Sequence, residues 1–304
     1  MLAIQNALGP LFALILFGAV LGRINYPGGD FWPRAERFVY YVFFPALLVH
    51  TLATADVADV PLVRLAVVCL GATVAVAIGL WLTRYLFASD DAAFTSVFQG
   101  ALRFNTYVSI AGAGALHGQA GVATAAVVIA LLVPTVNLLS VACFIGVGAL
   151  GRTSLARSLF ELLRNPLILA CIVGITLNGT GIGLPGWSDP ILALIGRPAL
   201  PLGLIAVGVA LRPWHLFRGG RALWLTSLVK LAVVPAIAMV LALVCGLDAV
   251  SRDVTLLFTA VSTATSSYIL ARQLGGDAEL MAALITVQTA LAMLTLPIWL
   301  VLIG

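Results

Sequence analysis

Long apolar stretches separated by short polar interludes run through this chain from end to end. A helix needs about twenty apolar residues to cross a bilayer. Read with that window, the stretches fall near 7–22, 35–54, 61–87, 91–117 and 119–149, then 166–184, 189–211, 221–245, 251–274 and 278–303. The apolar runs are continuous and do not alternate with period two, which favours helices over a β-barrel. The pattern predicts an all-α integral membrane protein with ten transmembrane helices. Between the fifth and sixth lies 151–165, where Arg152, Arg157, Glu161 and Arg164 are interspersed with Leu155, Leu159, Phe160 and Leu163. That reads as an amphipathic linker lying on the membrane surface. Met1 to Asn6 carry no basic residue, so the first apolar run reads as a retained helix and not as a signal peptide.

The pattern also repeats. Leu62-Val63-Arg64-Leu65-Ala66-Val67-Val68 returns 166 residues later as Leu228-Val229-Lys230-Leu231-Ala232-Val233-Val234. Pro45 and Pro201, Phe98 and Phe258, and Pro134 and Pro297 recur at offsets of 156, 160 and 163 residues, in the same order. Ten helices then divide into a first repeat at 1–150, the linker at 151–165, and a second repeat at 166–304. An odd number of crossings per repeat sets the halves in opposite orientations, the inverted-repeat architecture of many secondary transporters.

Charge placement orients the chain. The interludes after helices 1, 3, 5, 7 and 9 carry eleven arginines: Arg23, Arg34, Arg37, Arg84, Arg152, Arg157, Arg164, Arg212, Arg218, Arg221 and Arg272. The other side carries Arg64 and Arg252, with Arg197 near an edge. Because cytoplasmic loops are enriched in Lys and Arg, the linker is expected in the cytoplasm and both termini outside, in the inner (cell) membrane. Composition agrees with a membrane class: 62% of residues are hydrophobic and 9% charged, with a mean hydropathy of +1.13, where soluble domains carry about 25% charge. The four cysteines sit in separate apolar runs without metal-ligand spacing, and they read as small packing residues. No nucleophile–base pair or metal cluster stands out, so neither enzyme activity nor a metal or other cofactor is expected, and nothing points to a nucleic-acid partner.

Two of the helices are polar at mid-depth. Helix 4 contains Gln99-Gly100-Ala101-Leu102-Arg103-Phe104-Asn105-Thr106-Tyr107, and helix 9 contains Ser262-Thr263-Ala264-Thr265-Ser266-Ser267-Tyr268. Paired interruptions at corresponding positions of two halves point to broken helices that form a binding site; the alternative is that Ser and Thr bond back to their own helices. Arg103 is costly to insert, at about 2.5–3.5 kcal/mol, so it either binds a solute anion or caps unwound carbonyls. Asn105 offers a donor and an acceptor at the same break. Thr106, Thr265, Ser266 and Ser267 complete the candidate substrate-binding set, with Pro45, Asn137 and Gln288 as secondary candidates. Asn137 and Gln288 suit hydrogen bonds between helices as well as solute contact. Pro45 and Pro201 are expected to kink helices 2 and 7. His50 and His117 are expected at the interface, Lys230 and Arg272 close enough to the cytoplasmic edge to snorkel, and Arg197 flanking the start of helix 7. All acidic residues, Glu36 among them, fall at loops or membrane edges. An interior with arginine and without acids suits an anionic solute.

Several of these segments resemble the bacterial auxin efflux carrier family, a family of membrane transport proteins. The resemblance is carried by Phe43-Phe44-Pro45-Ala46-Leu47-Leu48, Arg103-Phe104-Asn105-Thr106-Tyr107-Val108, Asn165-Pro166-Leu167-Ile168 and Leu202-Gly203-Leu204-Ile205-Ala206-Val207-Gly208-Val209-Ala210-Leu211. It implies two inverted five-helix repeats with broken, crossing helices 4 and 9, a fold shared with bile-acid/sodium symporters and some sodium/proton antiporters. It further implies a homodimer built on helices 1, 2, 6 and 7, and transport of organic anions: auxin in plant members, small carboxylates such as malonate in bacterial ones. The chain departs from the plant branch in its short central linker, and in having Arg103 and a single asparagine where plant members carry a paired-asparagine motif. The expectation is a facilitator or efflux carrier of a small organic anion such as a carboxylate, working in the lipid bilayer by elevator-like alternating access. A sodium-coupled symporter on the same fold and a non-transporting membrane sensor or scaffold are the alternatives.

Overall fold

The computed structural model describes residues 2–54, 60–88, 90–148, 165–212 and 220–303. The expected amphipathic linker falls outside the described residues, Asn165 excepted. Besides a single turn at Arg84–Phe87, the helices among the described residues are α1 (Leu2–Arg23), α2 (Phe31–Thr54), α3 (Leu62–Leu82), α4 (Asp91–Leu102), α5 (Thr106–Gly146), α6 (Pro166–Gly179), α7 (Ser188–Gly196), α8 (Ala199–Ala210), α9 (Arg221–Val244), α10 (Ala249–Ala260), α11 (Ser266–Leu274) and α12 (Ala278–Ile303). Among the described residues, seven stretches are long and apolar enough to cross a membrane, and the longest, Asp91–Gly146, takes in both α4 and α5. The protein is a multi-pass, all-α membrane protein.

Local chemistry accounts for where these helices bend. Within α5 the one residue outside helical geometry is Gly118, at φ 57° and ψ −137°. Gly121 lies against the backbone of Ala113, so the chain reverses there, in a conformation that a side chain would resist. In α2 a π-helical turn at Val39–Phe43 precedes Pro45, and in α9 another at Val229–Val233 precedes Pro235. Wider turns of this kind relieve the missing N–H and ring clash of proline within one continuous helix. Pro201 instead lies in the first turn of α8, just after the interruption at Arg197 and Pro198 that divides it from α7. Arg197 is thus an exposed residue between two helices and does not flank the start of the helix 7 stretch.

Packing follows small residues. Gly18 and Gly22 of α1 lie on the backbone of Ile205 and Val209 of α8, and Gly208 of α8 lies on the backbone of Ile15 and Ala19. Close backbone approach of this kind drives helix association in lipid, where apolar area alone gives no preference for protein over acyl chains. α6 and α7 pack on α2. The helices that carry the two copies of the repeated heptapeptide, α3 and α9, pack antiparallel: Arg64 Nη1 donates to the Gly246 carbonyl at 3.2 Å, and Gly71 lies beside Leu241. Lys230, expected to snorkel, is only 1% exposed. It lies on the inward face of α9 with Thr226 and Val234, both buried, so packing against neighbouring helices encloses its side chain.

Candidate solute-binding site

Helix α4 stops at Leu102 and α5 starts at Thr106, leaving 103–105 extended; Arg103 has φ −71°, ψ 157° and Asn105 φ −80°, ψ 98°. Likewise α10 stops at Ala260, Val261 is extended at φ −80°, ψ 165°, and α11 starts at Ser266. The two non-helical stretches bond to each other. The Asn105 N–H donates to the Ser262 carbonyl at 2.8 Å, and Thr263 Oγ1 donates to the Gln99 carbonyl at 3.3 Å. Gln288 of α12 closes the junction from behind, giving Nε2 to the Gly100 carbonyl (3.1 Å) and accepting the Thr263 N–H on Oε1 (2.9 Å). Phe104 and Phe258 meet edge to face at 5.1 Å beside it. Unwound backbone inside a membrane protein persists only where protein or an aqueous cavity satisfies it, and these bonds satisfy part of it at the junction.

In front of the junction lies a cavity of about 490 Å³. Its walls include Arg103, Asn105, Thr106, Asn137, Thr265 and Ser266, together with Glu36, Arg37, Tyr40, Tyr41, Phe44, Tyr107 and Gln273. Arg103 Nη1 donates to Asn137 Oδ1 at 2.7 Å and Nη2 to Ser266 Oγ at 3.1 Å, while its buried Nε has no hydrogen-bond partner. Asn105 caps α5, its Oδ1 accepting the Val108 N–H at 3.3 Å, and its Nδ2 is likewise buried without a partner. Both α5 and α11 begin at this cavity, so two helix N-termini add positive potential to that of Arg103. Phe44 and Tyr107, ring centroids 5.1 Å apart, form an apolar wall.

The remaining sequence candidates lie elsewhere. Ser267 is fully buried with its Oγ 3.3 Å from Thr263 Oγ1, Gln288 is buried behind the junction, and Pro45 is absent from the cavity walls. His50 and His117 are not lone side chains: they meet Asp189 at 3.0 Å and Asp253 at 2.8 Å, each pair part-exposed.

Sequence reasoning placed every acid at a loop or membrane edge, and the structure corrects this for Glu36. It sits in the second turn of α2, and its Oε1 accepts Thr265 Oγ1 at 2.7 Å inside the cavity. Nothing local announces that role, because it depends on α2 packing across a stretch 229 residues away. Tyr40, Tyr41 and Tyr107 were equally unmarked, although three tyrosines within apolar runs, each with a hydroxyl to satisfy, are a usable signal.

The cavity shares Pro33, Glu36, Thr265 and Ile269 with a larger vestibule of about 990 Å³. Asn25, Arg212, Gly220 and Asp277, from the interludes after α1, α8 and α11, line that vestibule. Among the described residues no group of three or more His, Cys, Asp or Glu side chains is placed to hold a metal.

No curated protein matches this chain. The model of a family described as membrane transport protein matches residues 123–300, more than half of the chain, including Asn137, Thr265, Ser266 and Gln288. The chain therefore belongs to the membrane transport protein family that includes the auxin efflux carriers, a family of transporters and not of enzymes.

Proposed function

We propose that this protein is a secondary carrier of small organic anions, a facilitator or efflux carrier that binds its solute at the junction of the two non-helical stretches. The observation that carries this reading is the convergence of Arg103 and the N-termini of α5 and α11 on one cavity, with Arg103 Nε and Asn105 Nδ2 both buried and unpartnered. Donors arranged in this way suit a carboxylate. On this reading the gaps at 103–105 and 261–265 are the crossing breaks of helices 4 and 9, and the chain crosses the bilayer ten times as inverted halves, 1–150 and 166–304. The antiparallel packing of α3 and α9, the helices that carry the two heptapeptide copies, supports the inversion. The packing of α1 on α8, and of α6 and α7 on α2, supports a scaffold of helices 1, 2, 6 and 7, through which two copies dimerise. The other helices carry the site past this scaffold in an elevator-like movement. Arginine-rich interludes at the vestibule support an orientation in which the cavity faces the cytoplasm and both termini lie outside. An anion leaving the cell then gains about 2.3 kcal/mol per charge per 100 mV of inside-negative potential.

A thermal-shift screen of the purified protein against short carboxylates tests the reading. Ligands that bind the folded state raise its melting temperature with concentration. At least one carboxylate is expected to stabilise the wild-type protein, and to stabilise Arg103→Gln less. Failure of every carboxylate to do so would overturn the proposal.

A further inference from the structure

Glu36 and Arg103 hold adjacent residues at the start of α11: Glu36 Oε1 accepts from Thr265 Oγ1 at 2.7 Å, and Arg103 Nη2 donates to Ser266 Oγ at 3.1 Å. One cavity wall therefore carries opposite charges on the two sides of a helix start. Among the described residues Glu36 takes no second hydrogen bond and has no cation within 4.0 Å, so the carboxylate of this cavity-lining residue keeps acceptor capacity for a solute. A cavity of about 490 Å³, if round, is about 10 Å across, so a solute carboxylate held by Arg103 brings the far end of a short carbon chain toward Glu36. An ionised carboxylate only accepts hydrogen bonds. It welcomes a hydroxyl or an ammonium there and repels a second carboxylate. Of the other charged groups around Glu36, Arg37 also lines the cavity but is exposed, its guanidinium 5.9 Å over the Tyr41 ring, while Arg212, Asp277 and Glu279 line the vestibule.

We infer that the site selects a monocarboxylate bearing a second, hydrogen-bond-donating group, a hydroxy- or amino-carboxylate, and discriminates against dicarboxylates. The inference rests on the organic-anion reading above and adds Glu36 to it as a specificity-determining residue. Such selection by charge mismatch is a common route to specificity, since it works through repulsion of the wrong solute.

A matched three-carbon set tests this by calorimetry on the full-length protein: propionate, 3-hydroxypropionate, 3-aminopropionate and propanedioate, followed by the four-carbon series. The wild-type protein is expected to bind the hydroxy and amino acids roughly tenfold or more tighter than the dianion, the scale expected for like charges about 6 Å apart in a partly buried site. Glu36→Gln removes the charge but keeps an acceptor, so it should tighten propanedioate binding, weaken 3-aminopropionate binding and bring the two together. If Glu36→Gln does not fold, the wild-type ranking decides alone. Dianions bound as tightly as the hydroxy acid, or a ranking unchanged by Glu36→Gln, would overturn the inference and leave the anion carrier standing. No binding by any member, propionate included, would overturn both.

Discussion

Replacing Arg103 by glutamine removes a charge and a planar donor while keeping a polar side chain of shorter reach. In the free protein the guanidinium spends two donors on neutral partners, Asn137 Oδ1 at 2.7 Å and Ser266 Oγ at 3.1 Å, and holds Nε unbonded. Losing the two bonds costs stability at about 1 kcal/mol each. Part of that is returned, because an arginine at mid-membrane costs about 2.5–3.5 kcal/mol on insertion scales and glutamine less. Folding should therefore survive. Binding should not: a hydrogen bond to a charged group is worth about 1.5–3 kcal/mol, which corresponds to roughly a ten- to 150-fold rise in Kd for a carboxylate. Arg103→Lys restores the charge but not the flat pair of donors, so it should recover only part of the affinity. Calorimetry on the three proteins, alongside their melting temperatures, separates the effects. Wild-type affinity in a well-folded Arg103→Gln protein would show that Arg103 only ties α5 and α11 together, and the reasoning would fail.

Three further outcomes follow from the packing and the orientation. Gln288→Leu leaves the Gly100 carbonyl and the Thr263 N–H without their side-chain partner, and it should cost about 1–3 kcal/mol for each group; an unchanged melting temperature would mean that the junction holds without Gln288. Gly208→Ala sets a methyl group against the Ile15 backbone, and since backbone cannot give way, overpacking of about 1–3 kcal/mol should loosen α1 from α8, read as a lower melting temperature or as new protease sensitivity near Gly22. In a Cys245→Ser background, where Cys69, Cys143 and Cys171 are buried, a cysteine at exposed Arg34 should label only from the cytoplasm and one at exposed Thr180 only from outside, and the reverse pattern would refute the orientation.

What could be read ahead of the structure follows the range of the interactions. The polar words around Arg103 and Thr265 mark the non-helical stretches because a polar backbone neighbourhood at that depth is a local property of each helix. Hydropathy likewise locates the apolar stretches, including those near 91–117 and 119–149, which the turn at Gly118 divides. Hydropathy did not reveal that the 166–184 stretch is helical only over Pro166–Gly179. Glu36 was misread for a different reason: near the start of its helix it looks like an edge charge, and only the packing of α2 against the start of α11 turns it into the cavity. Lys230 was misread in the same way. Its repeat counterpart Arg64 is exposed at a helix start, whereas eight helical residues from Arg221 to Leu228 precede Lys230's turn and carry it inside. Patterns along one helix do not report which face another helix will cover.

Flux of an organic anion across a sealed membrane tests the central claim most directly. Proteoliposomes loaded with labelled 3-hydroxypropionate, given an inside-negative potential by valinomycin and a potassium gradient, should release it faster than without the potential. The release should saturate with solute, proceed without sodium, and fall sharply with Arg103→Gln. Release no faster than from protein-free liposomes, or release that requires sodium or is untouched by Arg103→Gln, would contradict an anion facilitator working at this junction.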